Sequence, residues 1–142
     1  MVNVLDKVQP KNKTQLRQLI NYAFKHNIYD LNFIDTSEIT DMSLLFSNRM
    51  HNFDVSSWDV SNVTNMGYMF YHCKNFNCDL SNWDVSKVKN MNYMFYNCKN
   101  FNCDLSDWDI SNMTRWKNIF CGCDKMTIPN WYKKLYIVKN KI

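Results

Sequence analysis

The sequence predicts an α/β chain built as a short leucine-rich-repeat-like solenoid, with four strand–helix repeats of about 24–25 residues between two caps. Two observations predict it. Trp58, Trp83 and Trp108 recur at one constant interval, and the apolar period changes within each unit from strand-like to helix-like. A unit of this size cannot bury its own apolar side, so neighbouring units must stack to share a core.

Aligned on the tryptophans, the units read Asp-Val-Ser-Ser-Trp-Asp-Val-Ser (54–61), Asp-Leu-Ser-Asn-Trp-Asp-Val-Ser (79–86) and Asp-Leu-Ser-Asp-Trp-Asp-Ile-Ser (104–111). Leu80, Trp83 and Val85, interrupted by Ser and Asp, predict a short strand and its turn. Val88, Met91, Met94, Phe95 and Cys98 follow at helical spacing, with Ser86 as the expected N-cap. The preceding unit repeats this with Val63, Met66, Met69, Phe70 and Cys73. An imperfect first copy starts at Ile34 and carries Ile39, Met42, Leu45 and Phe46, and a drifting last copy runs from Trp108 to Met126.

Residues 1–142 are expected to form one domain, with a cap helix and its lead-in over 11–33, repeats over 34–126 and a C-terminal cap over 127–142. Leu16, Leu19, Ile20, Ala23 and Phe24 lie on one helical face, which places the cap helix at 11–26. Asn12 and Gln15 read as its capping box, with Pro10 just outside. The C-terminal cap is entered through Pro129 and packed by Trp131, Tyr132, Leu135 and Ile137.

The repeated D-[LV]-S-x-W-D-[VI]-S-x-V-x-x-M-x-x-M-F-x-x-C-x-x-F pattern resembles the BspA-like leucine-rich-repeat proteins over roughly residues 10–132. These are often bacterial surface proteins and were long filed as a domain of unknown function. The resemblance implies a repeat module for surface attachment or protein interaction, on the bacterial surface or secreted, with no catalytic residues to carry over. Arg49, where the other units have Cys, and Trp116, where they have Met, depart from the pattern.

Composition narrows the function. Hydrophobic residues make up 46% and charged residues 21%, and no apolar run is long enough to span a membrane. Met1 to Pro10 has no unbroken apolar stretch, so no secretion signal is expected. The net charge is +4. Its basic excess sits at the ends, in Lys7, Lys11, Lys13, Arg17 and Lys25 and in Lys133, Lys134, Lys139 and Lys141. The acidic middle argues against nucleic acid, which favours one continuous basic face. With only two Gly, Gly-rich phosphate loops are excluded.

Cys73, Cys98 and Cys123 form one ladder and Cys78 and Cys103 another, with Cys121 apart. They are expected to be free, unmetallated thiols, the alternatives being rung-to-rung disulfides or zinc. Asp54, Asp79 and Asp104, and Asp59, Asp84 and Asp109, are expected to bond backbone N–H groups at turns rather than calcium. His26, His51 and His72 fall in no metal-ligand or nucleophile–base pattern, so no enzyme, cofactor or metal is expected.

Two function classes remain: a module that binds a protein or glycan partner, and an assembly protein that oligomerises through its ends. On a helical wheel Tyr68, Tyr71, Tyr93 and Tyr96 fall opposite the apolar face, flanked by Lys74 and Lys99. Tyrosine offers large contact area at low entropy cost, which makes this strip the expected binding surface.

Overall fold

The computed structural model describes residues 7–140. The start of the chain, Met1–Asp6, and the last two residues of the expected C-terminal cap lie outside the described residues.

The expected strand–helix repeat is not what forms. Among the described residues there are two α-helices, α1 (Lys13–Lys25) and α2 (Asn130–Asn140), and both flank the repeats. No extended strand is present among them, only isolated parallel bridges such as Asp41–Asn65, Asn65–Asn90 and Asn90–Arg115. The chain is therefore not an α/β leucine-rich-repeat-like solenoid. It is a stack of four turn-rich rungs closed by a helix at each end.

Hydrogen bonding explains the difference. Within a rung, turns close from residue i to i−3: Val88 N–H to the Val85 carbonyl, Met94 to Met91, Cys98 to Phe95 and Phe101 to Cys98. Successive β-turns thus return a side chain to the interior every third residue, the same interval as one face of a helix. The N–H groups between them leave the rung. Met91, Tyr93, Phe95 and Asn97 donate to the carbonyls of Arg115, Lys117, Ile119 and Cys121 at 2.8–3.0 Å. An α-helix needs those donors for its own i−4 carbonyls. Ser86 accordingly caps no helix, because its N–H closes a turn onto Asp84 Oδ1 at 3.0 Å. The Leu80–Val85 stretch is likewise a turn, with Trp83 N–H on the Leu80 carbonyl.

Each rung also contains left-handed residues at matching positions: Leu44 and Asn48, Tyr68 and His72, Tyr93 and Asn97, Asn118 and Gly122. Asn tolerates this conformation, whereas bulky side chains are strained by it. Gly122 (φ 78°) has a second constraint, since an added Cβ would lie 1.9 Å from Asn97 Oδ1 and 3.2 Å from Asn97 Cα. Gly122→Ala is expected to lower stability by about 1–3 kcal/mol. An unchanged urea midpoint would show that the last rung can shift to admit the methyl group.

The core is a set of parallel columns. Phe46, Phe70, Phe95 and Phe120 stack with centroids 5.6, 5.4 and 5.8 Å apart. Trp58, Trp83 and Trp108 are buried beside them, and each indole N–H reaches a carbonyl of the rung before, on Leu31, Val55 and Leu80. Buried tryptophan is favourable here because both its ring and its donor are satisfied.

Helix α1 closes the first rung. Asn12 Oδ1 accepts the Gln15 N–H at 3.0 Å, and Gln15 Oε1 accepts the N–H of Lys11 at 2.8 Å, one residue before the position a standard capping box uses. At the other end Asn27 is left-handed (φ 57°), and the N–H groups of Asn27 and Ile28 return to the carbonyls of Phe24 and Ala23. That is a Schellman ending with Asn in the usual glycine position. Leu16, Ile20 and Ala23 are fully buried, and the two larger side chains gain about 1.5–3 kcal/mol each from burial.

Helix α2 is attached differently. Its Trp131 Nε1 donates to the Leu105 carbonyl at 2.8 Å, continuing the bond made by the three repeat tryptophans. Trp131, Tyr132 and Leu135 pack against the core but stay partly exposed, and Ile137, expected in the cap, is 52% exposed.

Candidate functional site

The four tyrosines come together on the surface, though not by the route a helical wheel assumes. Tyr68 and Tyr93 are themselves left-handed residues (φ 59° and 56°), and this conformation sets where their side chains leave the rung. Their rings stack at 4.9 Å and 15°. Tyr71 and Tyr96 form a second stack at 5.3 Å and 16°. Rings within one rung meet at 60°, 5.4 Å apart for Tyr68–Tyr71 and 5.5 Å for Tyr93–Tyr96. Such contacts contribute about 0.5–1.5 kcal/mol per pair, enough to offset the left-handed strain of the two backbones.

Each ring turns one face to its stacked neighbour. Among the described residues none of these four hydroxyls has a hydrogen-bond partner. Tyr68 is 37% exposed and the other three are half-buried. The ring of His72 packs on Tyr71 at 4.2 Å.

The flanking cations are only partly those expected. Lys74 and Lys99 are exposed, and Lys99 forms a surface ion pair with Asp124 at 3.6 Å, a contact of little energetic weight. The cation over a ring is Lys117, whose Nζ lies 5.9 Å from the Tyr93 centroid. Sequence reasoning missed it because Lys117 belongs to the next rung. The available signal was its position, nearly one full repeat beyond Tyr93.

A second polar surface runs along the aspartate ladder. Asn77, Cys78, Asp79, Ser81, Asn102 and Cys103 line a cleft of about 380 Å³. Its polar groups are used by the fold itself. Asp79 Oδ1 accepts from the Ser81 N–H (3.0 Å) and hydroxyl (2.6 Å), and Asp104 accepts from the Ser106 N–H. The backbone N–H groups of Asn77 and Asn102 bond the side-chain oxygens of Asn52 and Asn77. These are the turn bonds expected of the aspartates, and they hold the Asp79 carboxyl below its ordinary value, the Ser81 hydroxyl and N–H being the main causes.

All six cysteines are unpaired, five of them buried. Burial pushes the Cys73, Cys78 and Cys123 thiols up to about 12 and raises Cys98 and Cys103 as well, so none of these five is a thiolate near neutrality. Among the described residues no group of three His, Cys, Asp or Glu could hold a metal ion. No helix among them is long and apolar enough to cross a membrane.

Comparison with protein families gives a match over residues 14–131 to the family described as Mycoplasma protein of unknown function, DUF285. The chain belongs to this family. For a DUF285 chain the match covers all four rungs and nearly all of α1, and it ends inside α2 at Trp131, the residue that continues the tryptophan column. No curated protein and no solved structure matches.

Proposed function

We propose that this chain is a non-enzymatic interaction or surface-attachment module that engages a protein or glycan through the face formed by Tyr68, Tyr71, Tyr93 and Tyr96, flanked by Lys74 and Lys99. The observation that carries this reading is the pair of tyrosine stacks with four unpartnered hydroxyls among the described residues. Pre-ordered aromatic side chains with free polar tips lose little entropy on binding and are frequent hot spots. The motif's resemblance to BspA-like surface proteins supports attachment as the setting.

The test uses asparagine, which occupies the equivalent left-handed position at 118 (φ 52°). The double variant Tyr68→Asn/Tyr93→Asn removes the outer rings without adding backbone strain. Wild type and variant are immobilised and compared on a glycan array and with cell-surface protein fractions. Ligands held by the wild type should be lost by about tenfold or more in the variant, with Tm nearly unchanged. Equal capture by both proteins, or no wild-type ligand in either format, would sink the proposal.

A further inference from the structure

Charge is divided within each rung. The stretches 60–78, 85–103 and 110–123 contain Lys74, Lys87, Lys89, Lys99, Arg115 and Lys117 and no acidic residue. The stretches 53–59, 79–84 and 104–109 contain seven aspartates and no cation. The four tyrosines belong to the first set and the aspartate ladder to the second, and none of the tyrosines lines the cleft along Asp79 and Asp104. A rung therefore has a basic arm and an acidic arm. The two do not neutralise each other. Among the described residues none of the seven aspartates is in an ion pair, and of the six cations only Lys99 is, with Asp124.

Hydrogen-bonding capacity is divided in the same way. The basic arm carries spare donors, the four tyrosine hydroxyls that have no partner among the described residues. The acidic arm carries spare acceptors. Asp59, Asp79, Asp84, Asp104 and Asp109 each use Oδ1 in their own turn, and among the described residues the second oxygen of each has no partner. Bonds from hydroxyl or ammonium groups to a carboxylate are charge-assisted and about twice as strong as neutral ones.

Spacing selects the occupant. The donors repeat once per rung, with Tyr68 and Tyr93 at 4.9 Å and Tyr71 and Tyr96 at 5.3 Å. Asp54, Asp79 and Asp104 recur at the same 25-residue interval as these tyrosines, because both ladders belong to one stack. An extended acidic peptide presents carboxylates on one side about 6.6–6.8 Å apart and falls out of register with such a ladder. A second copy of this chain keeps register over every rung.

We propose that the tyrosine face of one copy docks side by side on the aspartate face of a second copy, with Tyr68, Tyr93, Lys74 and Lys99 opposite the ladder that contains Asp79 and Asp104. The inference rests on the reading of the tyrosine face as the binding surface and names its partner. The two faces differ, so the contact is heterologous. Each copy offers one face and receives the other, and association continues beyond a dimer.

The test is sedimentation velocity of the full chain under reducing conditions, at low and at high salt. Wild type should grow beyond a dimer as its concentration rises at low salt and return to monomer at high salt. Asp79→Asn/Asp104→Asn keeps the oxygen that forms each turn and removes the charge, and Lys74→Glu/Lys99→Glu reverses the other face. Each variant alone should associate about tenfold or more weakly than wild type. An equal mixture of the two still contains one intact face of each kind and should form a dimer that grows no further. Three results overturn the proposal: a wild type that is monomeric at every concentration at low salt, a variant that associates as strongly as wild type, or a mixture that stays monomeric. A monomeric wild type leaves the reading of the tyrosine face standing if a foreign ligand is captured and is lost with Tyr68→Asn/Tyr93→Asn.

Discussion

Replacing Phe95 with alanine is expected to lower stability by about 3–5 kcal/mol, the largest loss expected from any one side chain of the stack. The ring is fully buried and lies between Phe70 and Phe120, with Phe101 at 4.3 Å and Trp108 at 6.3 Å. Its loss removes transfer energy and leaves a cavity that the rungs on either side cannot close, because their spacing is fixed by the N–H bonds across each interface. Phe120→Ala should cost less, since one side of that ring faces α2, whose Trp131 and Tyr132 are only half-buried and can move inward. Urea denaturation of both variants checks the order. A loss below about 1 kcal/mol for Phe95→Ala would mean that the Phe column is not the centre of the core.

Acid is expected to destabilise the chain. The carboxyls of Asp35, Asp79, Asp84, Asp104 and Asp109 are held low first by a serine hydroxyl two residues on, and Asp54 first by the Ser56 N–H. For Asp41 the largest influence is burial, which opposes ionisation, but the Ser43 bonds and Lys13 outweigh it. A group whose folded pKa lies below its unfolded value stabilises fully above the unfolded value, and that contribution disappears as pH falls through the folded one. With an ordinary value of 3.8 for each carboxyl, Tm should be flat above about pH 5 and fall as the pH drops through the lowered values. Ser81→Ala should move the Asp79 titration, followed by NMR, back toward its ordinary value. A flat Tm throughout would show that the turn carboxylates are as well solvated unfolded as folded.

The columns of this fold are legible in the sequence and the backbone that makes them is not. The regular recurrence of Trp83 and Phe95 identifies which side chains are stacked. But Val88, Met91 and Met94 are three apart, and that interval belongs equally to consecutive β-turns and to one helix face. What decides between them is the left-handed conformation at Tyr93 and Asn97, and tyrosine carries no signal for it. Asn12 and Gln15 could be read because capping chemistry is local. Trp131 could not be placed in the tryptophan column because it follows Trp108 by less than a full repeat and its neighbours have lost the Asp and Ser of the motif. The tyrosine surface coincides with the outer face of a helix that does not form. It is exposed because those residues sit at outward turns, and the ring over which Lys117 lies depends on stacking between rungs that no single repeat encodes.

The uniform pattern of upward N–H bonds also restricts how a gene for such a chain can change. Losing one codon between Met91 and Asn97 would shift every later donor by one residue, turning inward side chains outward in that rung and breaking the bonds those donors make to the next. An in-frame duplication of one whole unit meets none of these penalties, because a copied rung offers its neighbours the same donors, acceptors and Phe ring as the original. Length in this architecture is therefore heritable in steps of a complete turn, and the points of tolerated insertion are the joints between copies, not the loops within them.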